Sequence, residues 1–557
     1  MFIIDFVLLL VGVLLFFGIW SSKISTKVGV PGLVLFLLIG MLAGSDGIGG
    51  IKFDDFKMAH AVGTVALAVI LFDGGLRTGL DSVKLAWKPA GMLATAGVLG
   101  TAGITGAFAA WLMDWPILYG LLLGSIISST DAAAVFGILK GQGLRLRPRL
   151  GSTLELESGS NDPMAIFLTI GCIEIIRAGA PDWGSLALLF VSQMGVGALV
   201  GVGMGKAGAR FINRVNLDAA GLYPVLAGAI GLLSFGLAAN LGGSGFLAIY
   251  LTGIVVGNKD VVFRRGIYLF HDGVAWTGQI VMFTLLGLLV FPSTMLGMTA
   301  PGLAIAAVLI LVARPISVFA TLGFFGFKFR ELVLLSWTGL KGAVPIMLAT
   351  FPLMFEVEHG REIFNLVFFV VLVSAMTQGW SLPSVAKALG LNESMRPEPH
   401  ATLEISALQH VNAEIVEYFI SKDSPAAGRK LSELALPQEC LVALIAREKH
   451  AIAPKGSSVL EVGDYAFVVQ DRGVRPYMDR LFAGASAEDA ILPADLPIVF
   501  GRHVRVEALK TFYSLEIPTE EGKSLGEIVD AGFERIGDWK LSAVDDVSVL
   551  VKWAGKI

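Results

Sequence analysis

The sequence predicts an all-α polytopic membrane protein of about 13 transmembrane helices, followed by α+β domains at the C-terminal end. Of its 557 residues, 55% are hydrophobic and only 16% are charged, and the mean hydropathy is +0.73. A soluble enzyme of this size needs more charge on its surface. The apolar residues instead form blocks of about 17–23 residues, the length that crosses a hydrocarbon core of ~30 Å. After about Asn392, charged residues and short strand-like runs replace these blocks.

The candidate spans, numbered in chain order, lie within 2–20, 28–45, 59–76, 90–112, 117–139, 154–176, 184–205, 221–240, 243–257, 272–291, 300–322, 330–351 and 363–381. The first block has neither a basic N-terminal region nor a small-residue cleavage site. We therefore expect it to be a retained span rather than a signal peptide.

Basic residues alternate between the loops. One set of loops carries Lys23, Lys27, Arg77, Lys84, Lys88, Lys140, Arg145, Arg147, Arg149, Lys206, Arg210, Arg214, Lys259, Arg264, Arg265, Lys328 and Arg330. The alternate loops carry only Lys52, Lys57, Arg177 and Arg361. Because basic loops stay on the cytoplasmic side, this pattern predicts a multi-pass membrane protein. Its N-terminus is expected outside the cell and its C-terminal domains in the cytoplasm.

The C-terminal region is predicted to contain two soluble pieces after a membrane domain at 1–385. Strand-like runs such as C-L-V-A-L-I-A-R-E and turn signals at Gly456 and Gly463 indicate an α+β domain over 402–485. A second piece, 496–557, has strand-like runs around a helix-like segment, and 486–495 is a candidate linker.

Several polar groups interrupt the apolar spans. A charge in a bilayer costs ~2.5–3.5 kcal/mol even on lenient scales, so each is a functional hypothesis. They are Asp73 in span 3, Thr130 and Asp131 in span 5, Glu157, Ser158, Asn161 and Asp162 in span 6, Arg314 in span 11, Lys341 in span 12, and His271 with Asp272 at the start of span 10. We expect the last two to be interfacial.

The polar residues of span 6 form one face of a helix, because they are spaced at i, i+1, i+4 and i+5. Asp131 and Thr130 offer a second set of hard oxygens, which suit an alkali cation or a proton. Pro163 and the glycines of T-G-L-K-G free backbone carbonyls, which is tolerated where helices line a cavity. Broken spans 5 and 12 are seven apart, the spacing expected of inverted repeats around a transport site.

Glu157 and Arg314 are natural partners, since each alone would be a bare charge in a low dielectric. We expect this pair to be structural. Lys341 could balance Asp131 or the helix ends, and Asp73 could be a cation ligand, a funnel residue or a helix-end charge. Asp162 is then left without a permanent partner. A single carboxylate in a water-accessible cavity binds either a proton or a cation, which predicts cation/proton exchange by alternating access.

These residues resemble the monovalent cation/proton antiporter family one, the NhaP/NHE-like exchangers. The resemblance is carried by T-D in span 5, E-S-x-x-N-D in span 6, Arg314 in span 11, and G-L-K-G-A in span 12, where many relatives have Arg in place of Lys341. It covers all the spans. The 402–485 region resembles the TrkA-C (RCK C-terminal) module, and roughly the last 60 residues resemble the CorC/HlyC-type transporter-associated domain. Together they resemble the bacterial potassium/proton antiporter branch more than the sodium-specific branch, which implies a bacterial inner membrane with the N-terminus in the periplasm.

The resemblance implies an NhaA/NhaP-like antiporter fold, a homodimer surrounded by membrane lipid, and one-for-one electroneutral exchange, because Asn161 stands where electrogenic relatives carry Asp. It implies that Asp162 is the shared carboxylate for cation and proton. Asp131, Thr130, Ser158 and Asp73 would supply further ligands, and Asn161 would organise the site. The role of Lys341 stays open, because a buried Lys can lose its proton and cannot form a bidentate fork.

The function expected from the sequence is therefore K⁺/H⁺ exchange, regulated by the cytoplasmic tail. A Na⁺/H⁺ exchanger of the same fold is the first alternative. A ligand-gated cation channel is the second, although no filter sequence such as T-V-G-Y-G occurs. We expect no enzymatic activity and no nucleic-acid partner. No cofactor is expected beyond a small regulatory nucleotide on the tail, since K⁺, Na⁺ and H⁺ are substrates.

Overall fold

The computed structural model describes residues 12–13, 15–20, 32–394, 402–404, 413–447, 450–483, 498–513, 515, 517, 522–531, 535–536 and 539–553. The chain divides into two compact units, Met1–Met395 and Arg396–Ile557. The first unit is helical and the second is mixed.

Long apolar stretches fold into helices whose backbone groups are satisfied within the helix, as a membrane demands. In chain order they are α1 Gly32–Ala43, α2 Phe56–Arg77, α3 Leu80–Met113, α4 Ile117–Ile126, α5 Ala132–Gly141, α6 Pro148–Ala178, α7 Trp183–Arg214, α8 Leu222–Asn240, α9 Gly245–Gly257, α10 Arg264–Leu288, α11 Thr299–Phe325, α12 Phe329–Trp337, α13 Ala343–Met354 and α14 Gly360–Ala388. Six of them, α2, α3, α7, α8, α11 and α14, are long and apolar enough to cross a membrane. Helices α6 and α10 are as long but carry more charged residues.

The helices match the spans expected from hydropathy. Each predicted span from the second to the thirteenth coincides with one helix or with a broken pair. Most of the span predicted at 2–20 lies outside the described residues, and 15–20 within it are helical. This agrees with the predicted all-α membrane architecture.

Irregular turns recur at corresponding places along the chain. Helix α3 contains a π turn at Leu93–Gly97, and α11 contains another at Leu309–Ala313. The next predicted span after each is broken, between α4 and α5 and between α12 and α13. Single π turns inside α-helices mark functional regions more often than chance. Both kinds of irregularity therefore recur seven spans apart, as two related halves would require.

Helices α2 and α9 pack closely through glycine. A Cβ on Gly75 would lie 2.3 Å from the backbone oxygen of Tyr250, and one on Gly253 would lie 2.6 Å from that of Phe72. Small residues let helix backbones approach each other where lipid supplies no hydrophobic drive for association. Helices α2 and α9 therefore form one closely packed body.

A small sheet joins two distant parts of the helical unit. Strand β1, Leu144–Leu146, lies between α5 and α6, and β2, Asn392–Ser394, follows α14. They pair antiparallel, with Leu144 opposite Ser394 and Leu146 opposite Asn392. The chain that leaves α14 is therefore paired with the connection between α5 and α6.

In its described residues, the second unit contains two antiparallel sheets and three α-helices. Its strands are β3 Thr402–Glu404, β4 Ala413–Phe419, β5 Cys440–Arg447, β6 His450–Ile452, β7 Tyr465–Asp471, β8 Ile498–Gly501, β9 Arg535–Ile536, β10 Trp539–Ala543 and β11 Ser548–Trp553, and its helices are α15 Arg475–Ala483, α16 Val506–Tyr513 and α17 Leu525–Asp530. The strand orders are β3-β4-β7-β5-β6 and β8-β11-β10-β9.

The two predicted tail pieces share one hydrophobic core. The Tyr513 hydroxyl donates to the Ala435 carbonyl at 3.1 Å, and the Gln438 amide donates to the Val499 carbonyl at 2.9 Å. The predicted linker at 486–495 lies outside the described residues, and the boundaries 1–385, 402–485 and 496–557 stay predictions.

Candidate cation and proton site

Two broken helices meet in the middle of the helical unit. Residues 127–131 separate α4 from α5, and residues 338–342 separate α12 from α13. The Asp131 amide donates to the Leu340 carbonyl at 2.8 Å. Unwound backbone inside a membrane protein persists only where its polar groups find partners or line a cavity. The two breaks supply such partners to each other.

Side chains of opposite charge lie at the two helix ends that flank the first break, the C-terminus of α4 and the N-terminus of α5. Lys341 is buried, and its Nζ donates to the carbonyls of Ser128 at 3.2 Å and Ser129 at 2.9 Å, just beyond the C-terminus of α4. Asp131 caps the N-terminus of α5, where its Oδ1 accepts from the Ala134 amide at 3.0 Å. A cation at a helix C-terminus and an anion at an N-terminus complement the helix dipole. Of the two roles considered for Lys341, the geometry therefore favours the helix end.

Helix α6 clamps the first break through two polar side chains. Ser158 Oγ donates to the Thr130 carbonyl at 3.0 Å and accepts from the Ala132 amide at 3.1 Å. Asn161 Nδ2 donates to Thr130 Oγ1 at 2.7 Å. The structure therefore brings Thr130, Ser158 and Asn161 together, and the Ser158 hydroxyl makes both of its hydrogen bonds to the backbone of the break.

Asp162 follows directly on this clamp and is 5% exposed. Among the residues that the structure describes, neither its Oδ1 nor the Oδ1 of Asn161 has a hydrogen-bond partner, although both atoms are buried. A buried oxygen without a partner is costly. Two such oxygens beside two helix breaks form a candidate site for a hard monovalent cation or a proton.

Glycine at position 342 keeps the second break close to Asp131. A Cβ on Gly342 would lie 2.3 Å from Asp131 Oδ2. No real side chain tolerates that distance, so any larger residue must displace the carboxylate or the break. Gly342 therefore fixes where the Asp131 carboxylate lies.

The second break is also held by α14. The Lys341 amide donates to Ser374 Oγ at 3.2 Å, and Ser374 donates to Gln378 Oε1 at 2.6 Å. Gln378 Nε2 in turn donates to the Trp337 carbonyl at 2.8 Å. Sequence reasoning missed this network. Its signal was a pair of polar residues at i and i+4 inside an otherwise apolar span.

Glu157 and Arg314 form a bidentate ion pair, as the sequence analysis expected of natural partners. Nη1 lies 2.6 Å from Oε1 and Nη2 lies 2.9 Å from Oε2, and the two residues are 0% and 2% exposed. Arg314 follows directly on the π turn of α11. The pair thus joins α6 to α11 one turn from the clamp on Thr130.

Asp73 lies in a different cluster. Arg77 Nε lies 2.9 Å from its Oδ2, and Arg77 Nη2 lies 2.7 Å from Asp272 Oδ1. No hydrogen bond or ion pair in the described part of the chain joins Asp73 to the residues around Asp162. His271 is buried against the Phe72 ring, whereas the Asp272 side chain is 47% exposed, so only Asp272 has the exposure expected of an interfacial residue.

The chain matches two family models. Residues 12–388 match the transmembrane sodium/hydrogen exchanger model, and residues 415–474 match the TrkA-C domain. The CorC/HlyC-type resemblance of the last residues stays a prediction.

Curated relatives align over nearly the whole chain. The K(+)/H(+) antiporter NhaP of Alkalimonas amylolytica is 38% identical over 96% of this chain and 94% of its own length. The K(+)/H(+) antiporter NhaP2 of Shewanella oneidensis is 41% identical over 90% and 87%. The solved sodium proton antiporter MjNhaP1 of Methanocaldococcus jannaschii has the same fold, with a TM-score of 0.61, 24% identity, and coverage of 69% of this chain and 99% of that one. The chain therefore belongs to the sodium/hydrogen exchanger family and carries a TrkA-C domain in its tail.

Proposed function

We propose that this protein exchanges a monovalent cation, preferentially K⁺, for one proton across the membrane. The observation that carries the proposal is the buried Asp162 carboxylate, whose Oδ1 has no hydrogen-bond partner in the described part of the chain, beside two broken helices. Both ions would compete for this group.

A single shared carboxylate makes the exchange electroneutral. Asp131 and Lys341 are engaged at the two helix ends, and Glu157 is neutralised by Arg314. Asn161 carries no charge. One proton released from Asp162 then leaves one negative charge for one cation, so no net charge crosses per cycle. Asp131 Oδ2, Thr130, Ser158 and the Asn161 oxygen would complete the cation shell after small rotations.

Potassium is favoured by the relatives that include the tail. Two proteins named K(+)/H(+) antiporter are 38% and 41% identical over 96% and 90% of this chain, whereas the Na(+)/H(+) antiporter NhaH of Halobacillus aidingensis is 27% identical over 65% of this chain. Sodium exchange on the same fold remains the second candidate. A channel would not need a buried carboxylate that must bind a proton in each cycle.

The tail would regulate exchange through the β1–β2 sheet. Strand β2 is the first segment on the way to the TrkA-C domain, and β1 leads directly into α6, which carries Asp162. A small nucleotide bound to the tail could thereby shift the helix that bears the site. We also propose a homodimer in a bacterial inner membrane, with the N-terminus in the periplasm and the tail in the cytoplasm.

The test is cation-dependent proton flux in everted vesicles with K⁺, Na⁺, Rb⁺ and Li⁺. Asp162→Asn should abolish the flux for every cation while the protein still folds. Asp81→Asn is the matched control, because the Asp81 side chain is 98% exposed, and it should retain wild-type flux. Continued exchange by Asp162→Asn would overturn the single-carboxylate proposal.

A further inference from the structure

A stripe on one face of α6 leads to Asp162. Glu155, Gly159 and Asp162 are spaced at i, i+4 and i+7, so they lie on the same face of the helix. Seven residues of α-helix span about 10 Å. Glu155 lies nearer the end of α6 that follows the basic loop with Arg145 and Arg149, the predicted cytoplasmic face.

Glu155 is a half-buried carboxylate without a basic partner. Its Oε1 accepts from Thr78 Oγ1 at 2.8 Å, and no Lys, Arg or His of the described residues forms an ion pair with it. Thr78 ends α2 and is 1% exposed. The carboxylates of Glu157 and Asp73, in contrast, form ion pairs with Arg314 and Arg77. A negative charge near the site is therefore left for a mobile cation.

Tyr250 adds a third oxygen and separates Glu155 from Asp162. Its hydroxyl lies 3.4 Å from Thr78 Oγ1, and the residue is 3% exposed. A Cβ on Gly159 would lie 2.2 Å from Tyr250 Cζ and 2.6 Å from its hydroxyl oxygen. The phenol thus lies directly on Gly159, which is between the two carboxylates on this face of α6.

We propose that Glu155, Thr78 and Tyr250 form a staging site that binds the alkali cation on its way between the basic face and Asp162. The inference rests on the proposed function and adds a second cation site to it. The three oxygens come from α6, α2 and α9. Hard oxygens of this kind replace part of a cation's hydration shell.

The staging site also explains why Gly159 lacks a side chain. Helices α2 and α9 are one closely packed body, whereas Glu155 and Asp162 belong to α6. A cation can pass from the staging site to Asp162 when α6 moves relative to Tyr250, because the phenol then leaves Gly159. Tyr250 and Thr78 therefore bind from one body, and Glu155 binds from the other.

Glu155→Gln tests the site in everted vesicles, where the predicted cytoplasmic face is outside. Glu155 supplies the one carboxylate among the three oxygens, so its loss should weaken binding of the cation at the staging site roughly tenfold to hundredfold, the worth of a contact with a charged group. The apparent KM for K⁺ added outside should rise by that factor, with the maximal rate within about twofold of wild type. Glu174→Gln is the matched control, because Glu174 is exposed on the same helix, and its KM should not change.

Two further variants separate a binding role from a packing role. Thr78→Val removes the hydroxyl but keeps the shape, and should raise the KM by roughly twofold to fivefold, the worth of one hydrogen bond. Thr78→Ser keeps the hydroxyl and should restore the wild-type KM. Right-side-out vesicles, which present K⁺ to the opposite face, should show no KM change for Glu155→Gln.

An unchanged KM in Glu155→Gln, or an equal rise from both faces, would overturn the staging site. A Thr78→Ser variant as impaired as Thr78→Val would do the same, because the hydroxyl would then be irrelevant. The proposed function is tested separately in the same vesicles by Asp162→Asn. If that variant still exchanges cations, the proposed function fails whatever Glu155→Gln does.

Discussion

The Glu157–Arg314 pair gives the most direct stability prediction. Two charge-assisted hydrogen bonds, of 2.6 and 2.9 Å, join groups that are almost fully buried. Removing one partner of such a pair costs about 3–5 kcal/mol, because the other charge stays buried and unpaired. We therefore expect Arg314→Met to lower the free energy of unfolding by about 3–5 kcal/mol.

The double variant Glu157→Leu with Arg314→Met should recover most of that loss, because no bare charge remains. The assay is equilibrium unfolding in mixed detergent micelles, followed by tryptophan fluorescence, over the four members of the double-mutant cycle. Arg210→Met on exposed α7 is the control and should change the free energy by no more than about 0.5 kcal/mol. A double variant no more stable than Arg314→Met would refute the view that the cost comes from an unpaired charge.

Three other predictions follow from local geometry. Gly342→Ala should lower the exchange rate at least about tenfold, because its Cβ would collide with Asp131. The control is Gly103→Ala, whose Cβ would meet no atom within 4 Å, and this variant should exchange at the wild-type rate. Equal rates in the two variants would contradict the close approach of Gly342 to Asp131. The double variant Leu144→Cys with Ser394→Cys should form a disulfide under mild oxidation, since these residues are opposite each other in the β1–β2 pair. Neither single variant should form it. Absence of the disulfide in the double variant would remove the proposed route from the tail to the site. In the tail, burial opposes ionisation of Asp464, but hydrogen bonds from Arg447 and from the Glu461 amide, with the guanidinium charge, hold the pKa of Asp464 below its ordinary value of 3.8. A lowered folded pKa stabilises the tail at pH values above the unfolded pKa, and this stabilisation is lost as pH falls from about 4 through the folded pKa. The tail of the full chain should therefore unfold at a lower temperature below about pH 4, and Asp464→Asn should remove that dependence.

Hydropathy and charge patterning predicted the helices well because each span must satisfy its own backbone in lipid. The breaks beside Asp131 and Lys341 were also predictable, since small and polar residues interrupt apolar blocks there. Glu157 and Arg314 could be paired from charge balance alone. These features depend on local composition or on the cost of an isolated charge, and both can be evaluated without knowing the fold.

Roles that depend on where a side chain points could not be predicted in the same way. Lys341 binds carbonyl oxygens of the other broken helix, and only the crossing geometry brings these atoms together. Ser158 spends its hydroxyl on the Thr130 backbone for the same reason. The Asp73–Arg77 pair had a visible signal in its i, i+4 spacing. Glu155 had one too, seven residues before Asp162 on the same helical face.

The central claim is that K⁺ and H⁺ compete for Asp162, and the pH dependence of the apparent KM for K⁺ tests it most directly. If one carboxylate binds either ion, the KM for K⁺ should rise by about tenfold for each pH unit below the pKa of that carboxylate. The maximal rate at saturating K⁺ should stay constant. The KM should be measured at several pH values in everted vesicles. A KM that does not change with pH, combined with a maximal rate that falls on acidification, would contradict competition at one carboxylate.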